Sequence, residues 1–297
     1  MTSVLVVGSI NMDLVVQTDT FPRLGETVLG CDFATHAGGK GANQAVAAAR
    51  LGARVTIVGR IGRDAFADEL KARLAREGIE TRWLGETEGV ATGIASITVY
   101  KADNAIVLVR GANAALSPAD LDAAERAFAQ ADVVLAQLEV PLATVQHAAD
   151  LAARYRKPFV LNPAPAMPLP DSLLARCTLI TPNEYELATV VGQPRASWQK
   201  MLALLPGRVV LTKGVDGAYY SDAAGSPQHQ PAFRVSPVDT TGAGDTFNGA
   251  LAAFWSLGLA EAVRRGCAAG ALAVTKLGAQ EGMPSAAELE AFLQSAT

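Results

Sequence analysis

The chain has 297 residues, 50% of them hydrophobic and 18% charged, which excludes a disordered, collagen-like or low-complexity polypeptide. A formal net charge of −4 leaves no basic surplus to offset phosphate charge, so a nucleic-acid scaffold is excluded and no nucleic-acid partner is expected, although a local basic pocket is compatible with it. The cysteines (Cys31, Cys177, Cys267) and histidines (His36, His147, His229) are dispersed, so they form neither a disulfide ladder nor a zinc ligand set.

From the N-terminus, Met-Thr-Ser leads into an apolar run with no basic signal-like region. The longest uncharged apolar stretch, around Gly249–Ala260, is too short to span a bilayer, so a soluble cytoplasmic protein without a membrane partner is expected. Buried strands are expected at Val4–Ser9, Val55–Val58, Val133–Gln137, Phe159–Leu161, Leu179–Thr181 and Val209–Thr212. Amphipathic helices are expected at Gly41–Leu51, Ala65–Glu77, Pro118–Ala129, Leu142–Tyr155, Glu184–Val191, Ala243–Leu257, Glu261–Lys276 and Ala286–Gln294. Such alternation implies an α/β fold, a mainly parallel central sheet with helices on both faces, whose sites lie at the carboxyl ends of strands.

Two segments break the rhythm. Strand-like pieces Leu14–Thr18 and Thr27–Phe33 flank the turn Phe21–Gly25, and Thr92–Tyr100 and Ala105–Arg110 flank a hairpin turn at Lys101–Asn104. No helix separates them, so they are read as a small β-sheet inserted at about 13–35 and 91–110 into one domain spanning 1–297, packing over a site or against another subunit. The segment Asp222–Gln230, with His229, reads as a solvent-exposed turn.

Six polar clusters fall at expected strand ends or the helix starts that follow. Asn11 and Asp13, two apart, point the same way if the backbone is extended, or form an ordinary polar turn. In Gly38-Gly39-Lys40-Gly41-Ala42-Asn43-Gln44, Lys40 and Asn43 offer a cation and an amide on one helix face; a flexible loop with a surface lysine is the alternative. Glu139 is a site carboxylate or an exposed loop acid. Thr181 and Glu184 suit a capping box with Pro182 at the first helical position, leaving Asn183 and Glu186 for a hydrated Mg²⁺. Thr212, Gly214 and Gly217 read as a strand end and turn, or as a nucleotide edge. Asp239-Thr240-Thr241-Gly242-Ala243-Gly244-Asp245 follows a strand-like Phe233–Val235 and opens an Ala-rich helix. Its small residues let backbone N–H groups approach an anion, and Asp245 is placed to accept a proton; a glycine turn with an acidic cap is the alternative.

The ordered set Gly8–Asp13, Gly38–Asn43, Asn183–Glu186 and Asp239–Gly249 resembles the ribokinase-like (PfkB) sugar kinase family, and the resemblance covers essentially the whole chain. The blocks Gly111–Pro118, Leu161–Ala166 and Lys276–Gln280 strengthen it. The resemblance implies transfer of the γ-phosphoryl group of ATP to the 5-hydroxyl of D-ribose, with Asp245 as base and Gly242, Ala243 and Gly244 as an anion hole. It implies sugar contacts from Asn11, Asp13, Gly39, Lys40, Asn43 and Glu139, and nucleotide contacts from Asn183, Thr212, Gly214, Gly217, Gly244 and Cys267. Glu186 would organise Mg²⁺ through water. Potassium would lie at Asp239, Thr241, Ala273, Lys276, Gly278 and Gly282, the last replacing a frequent Ser. The inserted strands would form a lid that closes over the sugar and pairs between subunits of a homodimer.

Overall fold

Period-2 alternation divides each central strand between two cores. Val4 and Val6 face one side of β1 (Ser3–Val7), and Leu5 and Val7 face the other; all four are essentially buried. Runs buried on both faces form the interior of a parallel sheet, because water can wet neither side.

The computed structural model describes residues 1–297 apart from 102, 194–196, 223–224 and 296–297. Ala102, in the expected Lys101–Asn104 turn, and part of the Asp222–Gln230 segment therefore lie outside the described residues. After β1 come β2 (Asn11–Thr18), β3 (Gly30–Gly38), β4 (Arg54–Ile61), β5 (Glu80–Glu86), β6 (Gly93–Tyr100) and β7 (Asp103–Val109). The second half holds β8 (Val133–Ala136), β9 (Phe159–Leu161), β10 (Leu179–Ile180), β11 (Val210–Thr212), β12 (Ala218–Ser221) and β13 (Pro227–Gln230). Six of these make one parallel sheet in the order β10-β9-β8-β1-β4-β5. Helices Lys40–Arg50, Ala65–Arg76, Ala243–Ala253 and Leu259–Ala273 cover one face, and Pro118–Ala123, Glu125–Gln130, Leu142–Arg154 and Glu184–Val190 cover the other.

The inserted strands form a separate four-stranded sheet in the order β3-β2-β6-β7, with β2 and β6 parallel and the outer pairs antiparallel. Asn11 and Asp13 begin β2, so they belong to this sheet and not to the end of β1.

Several expectations need correction. The helix expected over Pro118–Ala129 breaks at Ala124, where an Ala127 N–H to Ala124 carbonyl bond tightens the turn. The Ala243–Leu257 helix ends at Ala253 and finishes in a 3₁₀ turn, Trp255–Leu257. Val209–Thr212 meets the end of the parallel sheet through isolated bridges from Val209 to Ile180 in β10 and from Thr212 to Asn183 just beyond it, and it leads an antiparallel extension, β11-β12-β13. Within the Asp222–Gln230 segment, Pro227–Gln230 is strand β13, and His229 stacks on Tyr219 with ring centroids 4.2 Å apart. Phe233–Val235 is not a strand. The charged, half-exposed strand β5 and the short helices Asp171–Arg176 and Trp198–Ala203 carry patterns too weak or too brief to stand out. Among the described residues no helix is long and apolar enough to cross a membrane.

Candidate active site

Two close backbone approaches assemble the site. A Cβ on Gly41 would lie 2.6 Å from the carbonyl carbon of Gly8 and the amide nitrogen of Ser9, so the helix Lys40–Arg50 packs directly on the end of β1. A Cβ on Gly249 would lie 2.6 Å from the Gln44 carbonyl oxygen, so the Ala243–Ala253 helix presses against the same helix. The second contact brings Asn43 and Gln44 onto Asp245, some two hundred residues away in sequence. Asn43 Nδ2 donates to Asp245 Oδ2 at 3.0 Å, and Gln44 Nε2 donates to Oδ1 at 2.9 Å. The carboxylate is 8% exposed, dry enough for those bonds to hold yet still reachable.

Around it converge the residues expected to face a sugar. Lys40 opens the helix after Gly39, whose φ of 89° suits only glycine there. Glu139, following β8, accepts from Ser9 Oγ at 2.5 Å and from the Lys40 amide at 3.2 Å. Asn113 Nδ2 donates to Asn11 Oδ1 at 2.7 Å, which leaves the Asn11 NH₂ free to donate elsewhere. The site is acidic around one lysine. The Lys40 ammonium is held above its usual range, first by Asp245, with burial opposing and Glu139, Glu186 and Asp13 adding to the rise. Asp13 is pushed up to about 7, first by burial, then by Glu139; His36 opposes, while Asp245 and Glu281 add.

On the far side of Asp245 lies a mostly apolar cleft of about 550 Å³. Thr212, Gly214, Gly217, Ala243, Gly244 and Cys267 all line it, together with Phe233 and Val235 from the segment misread as a strand. Burial pushes the Cys267 thiol up to about 12, so it acts as an inert apolar wall. Gly242, at φ 75°, caps the helix that meets the cleft. Ala243 N–H bonds to the Thr240 carbonyl at 3.3 Å, whereas the Gly244 and Asp245 amides have no partner among the described residues and remain available to an anion.

The capping box expected at Thr181 and Glu184 is displaced by two residues. Asn183 is the N-cap, its Oδ1 accepting from the Tyr185 and Glu186 amides, and Glu186 Oε2 accepts from the Asn183 amide at 2.9 Å. Thr181 Oγ1 instead donates to Asn248 Oδ1 at 2.5 Å. Pro182 consequently precedes the helix. Among the described residues one Glu186 carboxylate oxygen has no hydrogen-bond partner; burial raises its pKa, the Asn183 amide and Lys40 oppose, and Asp245 adds. This charge balance suits a hydrated cation.

Asp239 joins the loop segments 238–241 and 274–282. Its Oδ1 accepts from the Thr241 amide and hydroxyl, and its Oδ2 accepts from the Gly278 amide at 2.9 Å. Burial opposes ionisation, but these hydrogen bonds outweigh it and hold the carboxyl below its usual range. A Cβ on Gly282 would lie 2.6 Å from the Ala273 carbonyl oxygen, so the backbone fills the place of a serine side chain.

Comparison with known proteins shows the family. The model of the pfkB family carbohydrate kinases matches residues 1–286. The chain belongs to that family. Like it, the ribokinase of Bacillus subtilis (strain 168) is 42% identical over 99% of this kinase and 100% of its own length. A deoxyribokinase of Salmonella typhi is 35% identical, covering 98% of both chains. The solved structure of Arabidopsis thaliana ribokinase complexed with ribose and ATP superposes with a TM-score of 0.90 at 30% identity, covering 99% of each chain.

Sequence reading did not single out Asn113, Gln137, Asn162 or Gln280, nor did it give Gln44 a role of its own. For Gln137 and Asn162 the signal was an amide directly after an apolar strand, Val133–Ala136 and Phe159–Leu161, where a buried amide needs a partner; Asn113, Gln280 and Gln44 lie in helical turns and carry no such signal.

Proposed function

We propose that this kinase transfers the γ-phosphoryl group of ATP to the 5-hydroxyl of D-ribose, giving D-ribose 5-phosphate and ADP. The observation that carries this reading is the position of Asp245, with polar side chains on one side and the apolar cleft on the other. In this reading Asp245 is the base, and Asn11, Asp13, Gly39, Lys40, Asn43 and Glu139 bind the sugar. The nucleotide lies along Asn183, Thr212, Gly214, Gly217, Gly244 and Cys267, its adenine in the apolar cleft. Phosphoryl transfer asks chiefly for alignment and charge stabilisation. Asp245 orients the hydroxyl and takes its proton; the amides near Gly242, Ala243 and Gly244, together with Lys40, stabilise charge on the transferring group.

Glu186, with a free carboxylate oxygen, fits a water-mediated Mg²⁺, which when bound neutralises charge on the nucleotide phosphates. The loops carrying Asp239, Thr241, Ala273, Lys276, Gly278 and Gly282 supply one ionised carboxylate and backbone oxygens. These donors suit potassium, with Gly282 contributing no side chain. Replacing potassium by a bulky organic cation is therefore expected to lower kcat; unchanged rates across monovalent cations, measured by ADP release, dismiss the cation site.

The whole chain is read as one kinase domain with a lid. Exposed apolar side chains on the lid sheet, Phe33 at 60% and Ile106 at 56% exposure, support a homodimer through that sheet. Free cysteines support a cytoplasmic location.

Sugar affinity is expected to tighten as pH rises through about 7, because Asp13 gains its full acceptor capacity only when ionised. The groups acting on Asp13 are Glu139, His36, Asp245, Glu281 and Lys40. Calorimetric titration with D-ribose between pH 6 and 8 should show a change approaching about tenfold per unit below the midpoint, and Asp13→Asn should flatten it.

The deciding experiment is ATP-dependent ADP release with D-ribose, 2-deoxyribose, fructose and several nucleosides, in Mg²⁺ and K⁺. Preference for ribose, with phosphate on its 5-oxygen, supports the proposal. Preference for 2-deoxyribose favours the second reading, which the Salmonella typhi relative makes specific.

A further inference from the structure

The contacts that hold Asp245 continue outward in two chains of side-chain amides. Gln44 Nε2 donates to Asp245 Oδ1 at 2.9 Å and to Asn162 Oδ1 at 3.1 Å, while Gln44 Oε1 accepts from Gln137 Nε2 at 2.6 Å. Asn162 Nδ2 in turn donates to the Thr181 carbonyl at 3.2 Å. A backbone carbonyl only accepts, so it fixes which end of Asn162 faces Gln44 and thereby which end of Gln44 faces Asp245. The second chain is shorter: Gln280 Nε2 donates to Asn43 Oδ1 at 3.0 Å, which turns the Asn43 NH₂ onto Asp245 Oδ2 at 3.0 Å.

We propose that Gln44 and Gln280, backed by Gln137 and Asn162, are positioning residues that clamp the plane of the Asp245 carboxylate. Each carboxylate oxygen receives one amide donor, with polarity anchored on the Gln44 side by the Thr181 carbonyl, and keeps one lone pair for the acceptor hydroxyl. Rotation of the carboxylate would break one of the two bonds, and all five amides are buried to 7% exposure or less. Within this arrangement Gln137 accepts an uncompensated burial: its Oε1 is the one buried side-chain oxygen without a partner among the described residues. Its other end is committed to Gln44, and a Cβ on Gly8 would collide with that oxygen at 2.1 Å, so small Gly8 lets Gln137 stand there. Orphaned buried acceptors are costly and rare in native proteins; here the position serves the orientation of the base.

The inference rests on Asp245 being the base, and the experiment separates the two. Gln44→Met, Gln280→Met and Gln137→Met are compared with the unaltered protein, using whichever sugar of the panel is turned over fastest. Gln44→Met is expected to lower kcat by about tenfold or more, since a misplacement of about 1 Å costs up to about 10²-fold. The KM values for sugar and ATP should stay within about threefold, with smaller kcat losses for the other two variants. A Gln44→Met kcat within twofold of the unaltered protein, or a loss matched by an equal rise in sugar KM, overturns the proposal. If Gln44→Met does not fold, Gln280→Met, at the start of a short peripheral helix, carries the same test. A second readout needs no turnover: the Gln44 side-chain NH₂ resonance in ¹⁵N–¹H spectra should shift in Asp245→Asn, and an unshifted resonance overturns the clamp. Turnover of another sugar in place of ribose defeats the ribose assignment alone, and the kcat comparison is then read on that sugar.

Discussion

Asp245→Asn is expected to lower turnover by about 10³-fold or more, at the upper end of what a positioned base contributes, while D-ribose still binds within a few-fold of its original affinity. The amide keeps the size of the carboxylate but cannot take the hydroxyl proton. It also presents one NH₂ toward a pair of NH₂ donors, Asn43 Nδ2 and Gln44 Nε2. Gln44 is tied through Asn162 to the Thr181 carbonyl, so the Asn43–Gln280 pair is the side expected to turn over and accommodate it. Single-turnover phosphorylation of D-ribose measures the loss, and calorimetry measures the sugar affinity. Turnover near that of the unaltered protein removes Asp245 from the role of base.

Lys40→Met is expected to be nearly as severe, lowering kcat/KM by about 10²-fold or more, comparable to removing one preorganised donor from a charge-stabilising site. Lys40 is the cation whose ammonium is acted on by Asp245, Glu139, Glu186 and Asp13 together. Without it those carboxylates face one another and the nucleotide phosphates uncompensated. Stability should respond in a defined direction. The folded-state pKa of Asp13 already stands at about 7 against an ordinary 3.8, and that of Glu186 is also raised; loss of the lysine raises both further. The folded protein then binds more protons than the unfolded chain between about pH 4 and 7, so stability falls as pH rises through that window. Thermal melts at pH 5 and pH 8 should therefore show a larger Tm deficit for Lys40→Met at the higher pH. Equal deficits at both would mean that Lys40 acts by packing and not by charge.

These two residues also show how far local pattern reaches. Lys40 and Asp245 were conspicuous because glycines surround them at helix starts, where a ligand needs close backbone approach. The central strands were legible for a similar reason: a β-branched run buried on both faces leaves a compositional trace. Strand β5 left almost none, since Glu80, Arg82 and Glu86 interrupt it and its burial comes from its neighbour β4. The cap at Asn183 illustrates a different limit. Thr181-Pro182-Asn183-Glu184-Tyr185-Glu186 satisfies two overlapping capping patterns, and local sequence cannot choose between them. Tertiary contact decides: Asn248 takes the Thr181 hydroxyl, and Asn183 is left to cap the helix with Glu186.

By itself the sequence determined the α/β alternation, the inserted sheet and the short polar clusters at strand ends, because periodicity and glycine placement are local properties of the chain. Only the tertiary structure decided that β11 turns away into an antiparallel extension, that Phe233 and Val235 line a cleft, and that Gln44 and Asn43, the latter bonded to Gln280, donate to the two oxygens of Asp245. Those outcomes depend on groups far apart in sequence finding hydrogen-bond partners and apolar cover in a dry interior. That requirement is set by the packing of the whole molecule, and no short stretch of residues records it.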